Sequence, residues 1–256
     1  MGIRSTKNRL DGKSSLLIAT KRTGGGTNPR IPGITSGSFL YYDGGTYSGT
    51  TWTDLSGNSN NGTLTNGPTY NSNNGGYFDF DGTNDEVTTA TSFTNPNSYT
   101  VTAWFKTSTN FSGGGKKIIG FENNQTGTGT SGWDRMIYVG SDNKLYFGHY
   151  DGSVRVASST ITVNDGVWRH AAMTYGGEST TMRLYLNGVS NATKAANGPQ
   201  NYTGWWRIGA YKASSWTNGS DGYFTGSIGQ VIVYHKALTA TEISDNYEVT
   251  RQRFGV

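Results

Sequence analysis

Short stretches of alternating apolar and polar residues, separated by clusters of Gly, Asn, Ser and Thr, run through most of the chain. Over residues 98–106, Tyr99, Val101, Ala103 and Phe105 fall on one side of an extended backbone, and Thr100, Thr102, Trp104 and Lys106 fall on the other. Side chains alternate across a strand, so this segment reads as half-buried, with an outward face that is polar apart from Trp104. The same reasoning predicts strands over 76–80, 117–121, 136–139, 144–150, 154–158, 168–175, 182–186, 205–211 and 226–234. Asn187-Gly188 suits the type I′ turn of a tight hairpin, because both residues tolerate a left-handed backbone. One short helix is expected near the end. Thr239 and Glu242 have capping-box spacing, and Leu238 and Ile243 stand where a hydrophobic staple would pair them. The pattern is all-β, with no repeat of propeller or solenoid length.

The first 37 residues differ. They lack periodicity and are punctuated by Gly24-Gly25-Gly26, Pro29 and Pro32-Gly33. Ordering such a segment costs about 1–2 kcal/mol per residue with little apolar surface to offset it, so it is expected to become ordered only against a partner. The chain divides into a basic extended N-terminal arm, 1–37, and one domain, 38–256, a size that single all-β domains commonly reach. The arm holds Arg4, Lys7, Arg9, Lys13, Lys21, Arg22 and Arg30 against one acid, Asp11. The overall formal charge of +4 therefore comes from the arm, and the domain is slightly acidic.

With no cysteine, disulfides and thiolate metal sites are excluded. No apolar run approaches the roughly 18 residues of a membrane span. Leu16-Leu17-Ile18-Ala19 is also far short of the roughly 7–15 residues of a signal-peptide core, so a soluble chain made in a cytoplasm is expected.

Several segments together carry a family resemblance. Tyr41-Tyr42-Asp43, Trp52 to Asn58, Asn61 to Leu64 and Phe78 to Asn84 resemble the opening of laminin G-like domains in the concanavalin A-like lectin/glucanase superfamily. Trp168 to Tyr175, Leu184 to Gly188, Ile208-Gly209, Phe224 to Ile228 and Val233 to Leu238 are similar to the remainder, in the same order. The resemblance implies a two-sheet antiparallel jelly-roll sandwich. Gly49 to Asn58, Thr65 to Asn71 and Asn246 to Gly255 further resemble versions of this domain in tailed-bacteriophage virion proteins. That implies a virion structural protein of the head or of a tail or fibre.

The superfamily includes retaining glucanases, which need two carboxyl groups about 5–5.5 Å apart. Asp79 and Asp81 are the one same-parity acidic pair on an apparent strand, and the family uses that segment to close the sandwich. His149, His170 and His235 lack ligand spacing, and no Gly-x-Ser-x-Gly elbow occurs, so no catalytic residue is assigned and a non-enzyme is expected. A structural calcium near Asp81 and Asp85 is the one cofactor weighed, since Asp, Asn and loop carbonyls suit that ion. Against it, Gly229-Gln230 stands where relatives commonly carry acidic residues.

Sugar recognition fits the aromatic content best. Trp205 and Trp206 are adjacent on an expected strand, so one must face away from the core, and Trp133 and Trp216 lie beside loop-like sequence. Trp133, Trp205, Trp206, Trp216 and Asp221 are therefore the candidate glycan contacts, with packing beneath loops as the alternative. The arm's cations are too dispersed, and too free of aromatics, for a nucleic-acid motif, so other virion proteins are its expected partners. The expectation as a whole is a non-catalytic virion protein, anchored by its arm, without membrane contact, touching host-surface polysaccharide and self-associating through edge strands. A free lectin-like module is the second reading, and a β-glucan hydrolase the third.

Overall fold

The structure, a computed structural model, describes residues 37–176 and 179–256. In chain order its strands are β1 (Ser38–Ser48), β2 (Thr51–Asp54), β3 (Gly62–Thr65), β4 (Thr69–Asn71), β5 (Tyr77–Asp81), β6 (Glu86–Thr89), β7 (Phe93–Thr94), β8 (Tyr99–Lys106) and β9 (Lys116–Glu122). They continue with β10 (Trp133–Val139), β11 (Lys144–Tyr150), β12 (Val154–Thr162), β13 (Arg169–Gly176), β14 (Ser179–Leu186), β15 (Val189–Ala195), β16 (Thr203–Ile208) and β17 (Thr225–Tyr234). One helix, α1 (Ala240–Arg251), runs into a final 3-10 turn, Gln252–Phe254.

All pairings between these strands are antiparallel, and they form two layers. The back layer runs β15-β14-β13-β8-β17, and β17 continues to β1 along one half and to β5 along the other. The front layer runs β2-β3-β6-β16-β9-β10-β11-β12. Strand β1 belongs to both layers. It pairs with β17 through Asp43, its register then breaks, and Tyr47 and Ser48 pair with β2. Gly44 lies at the break, where a Cβ would stand 2.2 Å from the Gly76 carbonyl oxygen, so only glycine permits the crossing.

Inward-facing residues of both layers meet in one core, with Val101, Phe105, Met173, Leu184 and Val231 from the back and Val87, Phe121, Ile137, Phe147 and Trp206 from the front. Burying each large side chain contributes about 1.5–3 kcal/mol. The alternation expected for β8 holds on its inner side. Its other face is not solvated as expected, because Thr100, Thr102 and Trp104 are buried beneath the C-terminal segment. Thr100 Oγ1 donates to the Lys236 carbonyl and accepts from Leu238 N–H, both at 2.8 Å, and Trp104 Nε1 donates to Thr250 Oγ1 at 2.9 Å.

The expected helix start is present. Thr239 Oγ1 accepts from Glu242 N–H at 3.2 Å and Glu242 Oε2 accepts from Thr239 N–H at 2.8 Å. Leu238 and Ile243 pack with Tyr41, Tyr185 and Tyr234 on the back layer. Asn187 and Gly188 both have positive φ, 51° and 76°, as their hairpin requires. Arg4, Lys7, Arg9, Lys13, Lys21, Arg22 and Arg30 lie outside the described residues. No helix among the described residues is long and apolar enough to cross a membrane.

Candidate functional site

Strand β10 decides which aromatic residues reach the front layer's outer face. Its pairing with β9 shifts between Asp134 and Ile137, and Arg135 sits at φ 48°. Without that bulge Trp133 would share the core side of Ile137 and Val139. With it, Trp133 joins Met136 and Tyr138 on the outer face, beside Tyr146, Tyr150, Val154 and Val156 of the neighbouring strands.

A buried ion pair holds the bulge. Asp134 Oδ1 accepts from the N–H groups of Arg135 (2.6 Å) and Tyr150 (2.7 Å), and Oδ2 accepts from Gln200 N–H at 3.2 Å. The Arg135 guanidinium pairs with Asp134 at 3.3 Å, donates to the carbonyls of Pro96 (3.1 Å) and Gln200 (2.5 Å), and lies over the rings of Phe121 and Tyr202. Burial pushes the Asp134 carboxyl up to about 6 even against the guanidinium and the N–H groups. Nearby, His149 is held down at about 4 by burial and by the Arg135 charge, and its Nδ1 lies 3.0 Å from the Tyr99 hydroxyl.

Residues 209–224, between β16 and β17, fold over this face. Tyr138 Oη donates to the Thr217 carbonyl at 2.7 Å, Asn218 Nδ2 donates to Tyr146 Oη at 2.7 Å, and Trp133 Nε1 donates to the Ser214 carbonyl at 3.3 Å. Trp216 lies against Gly148, where a Cβ would come within 2.4 Å of its ring. Asp221 fastens the segment by accepting from Lys212 Nζ (2.8 Å), Ser214 N–H (2.8 Å) and Ala213 N–H (3.1 Å). Against the cost of its burial, these bonds hold its carboxyl at about 2.

The segment leaves an open cleft of about 240 Å³, lined chiefly by Trp133, Tyr150, Val154, Gln200, Ser215 and Trp216. Two of the expected glycan contacts, Trp133 and Trp216, thus meet in one groove, but only Trp133 is half-exposed there; Trp216 is 6% exposed and packs beneath its loop, the alternative expected for it. Asp221 stands behind the groove as a clamp, with its oxygens already engaged. Trp205 is half-buried on β16 opposite Glu122, outside the lining. Trp206 corrects the expectation: it is fully buried, with ring centroids of Phe121 and Tyr99 at 5.2 and 6.5 Å, and offers no face to a sugar. Sequence reasoning missed Tyr150, whose outward direction follows from its parity with Tyr146, and Gln200, which nothing in the pattern marks.

Beside the groove four charged side chains are sealed beneath residues 209–224. Arg207 pairs with Glu86 and, at 2.6 Å, with Glu122, while Lys117 also pairs with Glu122 and donates to the Lys212 carbonyl at 3.0 Å. None of these side chains is more than 4% exposed. Burial and the Arg207 charge hold the Lys117 amine well below the usual range. Glu86 and Glu122 are spent on cations and closed to water, the reverse of what a general acid and base need.

Asp79 accepts from the Ser227 hydroxyl at 2.5 Å, and Asp81, exposed, accepts from Thr83 N–H at 2.7 Å, so the two serve separate structural bonds. Asp85 accepts from Asp81 N–H at 3.0 Å, and this Asp81 to Asp85 segment forms a turn. No group of three His, Asp or Glu suited to a metal occurs among the described residues. His170 is buried against Trp104, and His235 stacks on Phe39 at 4.2 Å.

The family model described as concanavalin A-like lectin/glucanases superfamily matches residues 80–244. The chain belongs to that superfamily. No curated protein sequence matches it. Among solved structures, this concanavalin A-like chain is similar to the binding domain of Paraclostridial Mosquitocidal Protein 1 (TM-score 0.62, 15% identity, covering 84% of this chain and 53% of that one). It is likewise similar to the Botulinum Neurotoxin Type G receptor binding domain (TM-score 0.60, 14%, 83% and 51%) and to Trypanosoma rangeli sialidase in complex with sialic acid (TM-score 0.61, 12%, 85% and 34%). The concanavalin A-like chain spans about half or less of the length of these structures, and identities this low speak to the fold.

Proposed function

We propose that the domain is a non-catalytic carbohydrate-binding module whose groove is framed by Trp133, Tyr150 and Trp216. The observation that carries this reading is the groove itself, in which a bulge held by buried polar bonds turns Trp133 outward beside Tyr150. Aromatic faces on a rigid frame suit the apolar faces of sugar rings, at little entropic cost on binding. Superfamily membership and the toxin binding domains of similar fold support a binding role, and the sealing of Glu86 and Glu122 supports the absence of catalysis.

Glycan-array binding by the whole chain and by Trp133→Ala tests it. The wild type is expected to bind a discrete glycan set and the variant to lose roughly tenfold or more in affinity, while still unfolding in one cooperative transition at a slightly lower temperature, since Trp133 also packs against Met136 and Tyr138 and bonds the Ser214 carbonyl. An array left blank by the wild type, or equal binding by both, overturns the reading.

The setting we propose is a virion, in which the basic arm anchors the chain to other virion proteins and the sandwich presents the groove to host-surface polysaccharide. The phage-like segments and the concentration of cations in the arm support it. Purified particles lacking this protein should bind the full chain and not one that begins at Ser38. Equal binding by both would remove the arm as the anchor.

A further inference from the structure

We infer that the groove takes an uncharged sugar and holds it without a bridging metal ion. This deepens the carbohydrate-binding reading and rests on it. No Asp, Glu, Lys, Arg or His lines the groove. The nearest charges are matched before any ligand arrives. Lys212, 5.0 Å over the Trp133 ring, is paired with Asp221 at 2.8 Å. Arg155, next to Val154, is paired with Asp151 at 3.0 Å, and Asp151 also accepts from Asn197 N–H at 2.8 Å. Beneath the floor, Asp134 and Arg135 neutralise one another.

An anionic sugar such as a sialic or uronic acid would therefore bring a carboxylate against aromatic carbon with no free cation to meet it. A carboxylate turned into the groove gives up water with no cation in exchange, and one turned to solvent gains nothing from the site. A neutral sugar meets no such cost. Its apolar faces can lie on the half-buried Trp133 and Tyr150, with the buried Trp216 as the wall behind them, while its hydroxyls meet the exposed Gln200 amide and the Ser131 and Ser215 hydroxyls at the rim. The Gln200 backbone is fixed on both sides, by Asp134 at its N–H and by Arg135 at its carbonyl, so the amide starts from a rigid base. With no carboxylate in the lining, the groove also lacks the anionic oxygen donors that calcium favours when it is shared between a protein and a sugar.

The test uses the full chain and pairs of oligosaccharides identical except for a terminal sialic or uronic acid, titrated by calorimetry at low and high salt, with and without EDTA. The neutral member should bind at least about tenfold more tightly than its acidic partner, corresponding to about 1.4 kcal/mol. Its affinity should change less than about twofold with salt or EDTA, as expected where no ion pair forms. Trp133→Ala and Gln200→Ala should each weaken the neutral sugar, and the melting temperature should stay put in Gln200→Ala, whose side chain is exposed. Preference for the acidic member, or loss of binding in EDTA, would overturn the inference and leave the carbohydrate-binding reading standing. Binding that survives both substitutions would place the sugar elsewhere and overturn it too. Failure of every sugar to bind would remove both readings together.

Discussion

Each layer of the sandwich has an outer face covered by chain that comes from beyond its strands, and the two covers work differently. On the back layer the cover is α1 and the final turn. They seat apolar side chains against Tyr41, Tyr234 and Trp104, with Phe254 stacked on Trp104 at 4.4 Å, and fasten themselves with bonds such as Asn246 Nδ2 to Tyr234 Oη at 3.1 Å. On the front layer the cover is the irregular segment 209–224, which lies over buried charges and is tied down through side-chain bonds to its own carbonyls. A helix satisfies its own backbone and can close a face with apolar contact alone. An irregular segment must find partners for its backbone groups, so polar residues accumulate beneath it and the fit leaves a groove. The face that is harder to close is the one left with a groove.

The largest effect should come from the charges under the front cover. Arg207→Met leaves Glu86 without a cation and Glu122 with Lys117 alone, in a place closed to water. Breaking a buried pair from one side costs about 3–5 kcal/mol. Urea denaturation of the variant should show a loss of that size. A loss below about 1 kcal/mol, the range of exposed pairs, would mean that water reaches the cluster and that the two covers are more alike than described.

Acid should act on both faces at once. His170, behind the helix-covered face, is held at about 3 by burial, and His149 at about 4 by burial and Arg135. Unfolded histidine titrates near 6.5. Between that value and their folded values the unfolded chain binds more protons, so stability falls as pH falls. From about pH 7 to about pH 5 each histidine should remove roughly 2 kcal/mol. Asp134 works in the opposite direction. Its folded value, about 6, lies above the unfolded one, so the folded chain gains protons first and recovers roughly 1 kcal/mol over the same interval. For these three groups the net expectation is a loss of roughly 3 kcal/mol, and His170→Phe should reduce the slope of stability against pH whatever it does to stability at pH 7. An unchanged slope in that variant would show that His170 takes up protons without unfolding.

The helix-covered face was far more legible in the sequence than the groove. Local signals carried it: the alternation of β8, the left-handed Asn187-Gly188 pair and the Thr239 to Glu242 box each depend on residues a few positions apart. What lay beyond local pattern was that the helix would land on Thr100, Thr102 and Trp104. On the front face the pattern marks a strand only from 136 and leaves Trp133 to a loop; the strand in fact starts at Trp133, and the bulge at Arg135 keeps it off the core side that plain parity with Ile137 would give. Parity did require that Trp205 and Trp206 face opposite ways, but it could not say which was inside. Glu86, Lys117, Glu122 and Arg207 come from three strands and read as ordinary surface charges until the registers of β6, β9 and β16 align them. Side chains whose roles depend on long-range register carry no short-range mark.

The smallest effect should come from the anchoring of the back cover. Thr239→Ala removes the hydroxyl that accepts from Glu242 N–H and leaves that donor at the helix start, where water can reach it. Loss of such a cap costs about 1 kcal/mol. Thr239→Asp keeps an acceptor at the same place, but its charge stands beside Glu242, which itself accepts from Thr239 N–H and pairs with Lys236. Thr239→Ser is therefore the cleaner control and should restore nearly all of the loss. Because the cover also rests on Leu238, Ile243 and Phe254, the alanine variant should unfold in a single transition with its melting point slightly lowered. If a separate early transition appeared instead, with Trp104 fluorescence changing ahead of the core, the helix would be a detachable lid held by its cap, and the contrast between the covers would lie in their bonds rather than in their packing.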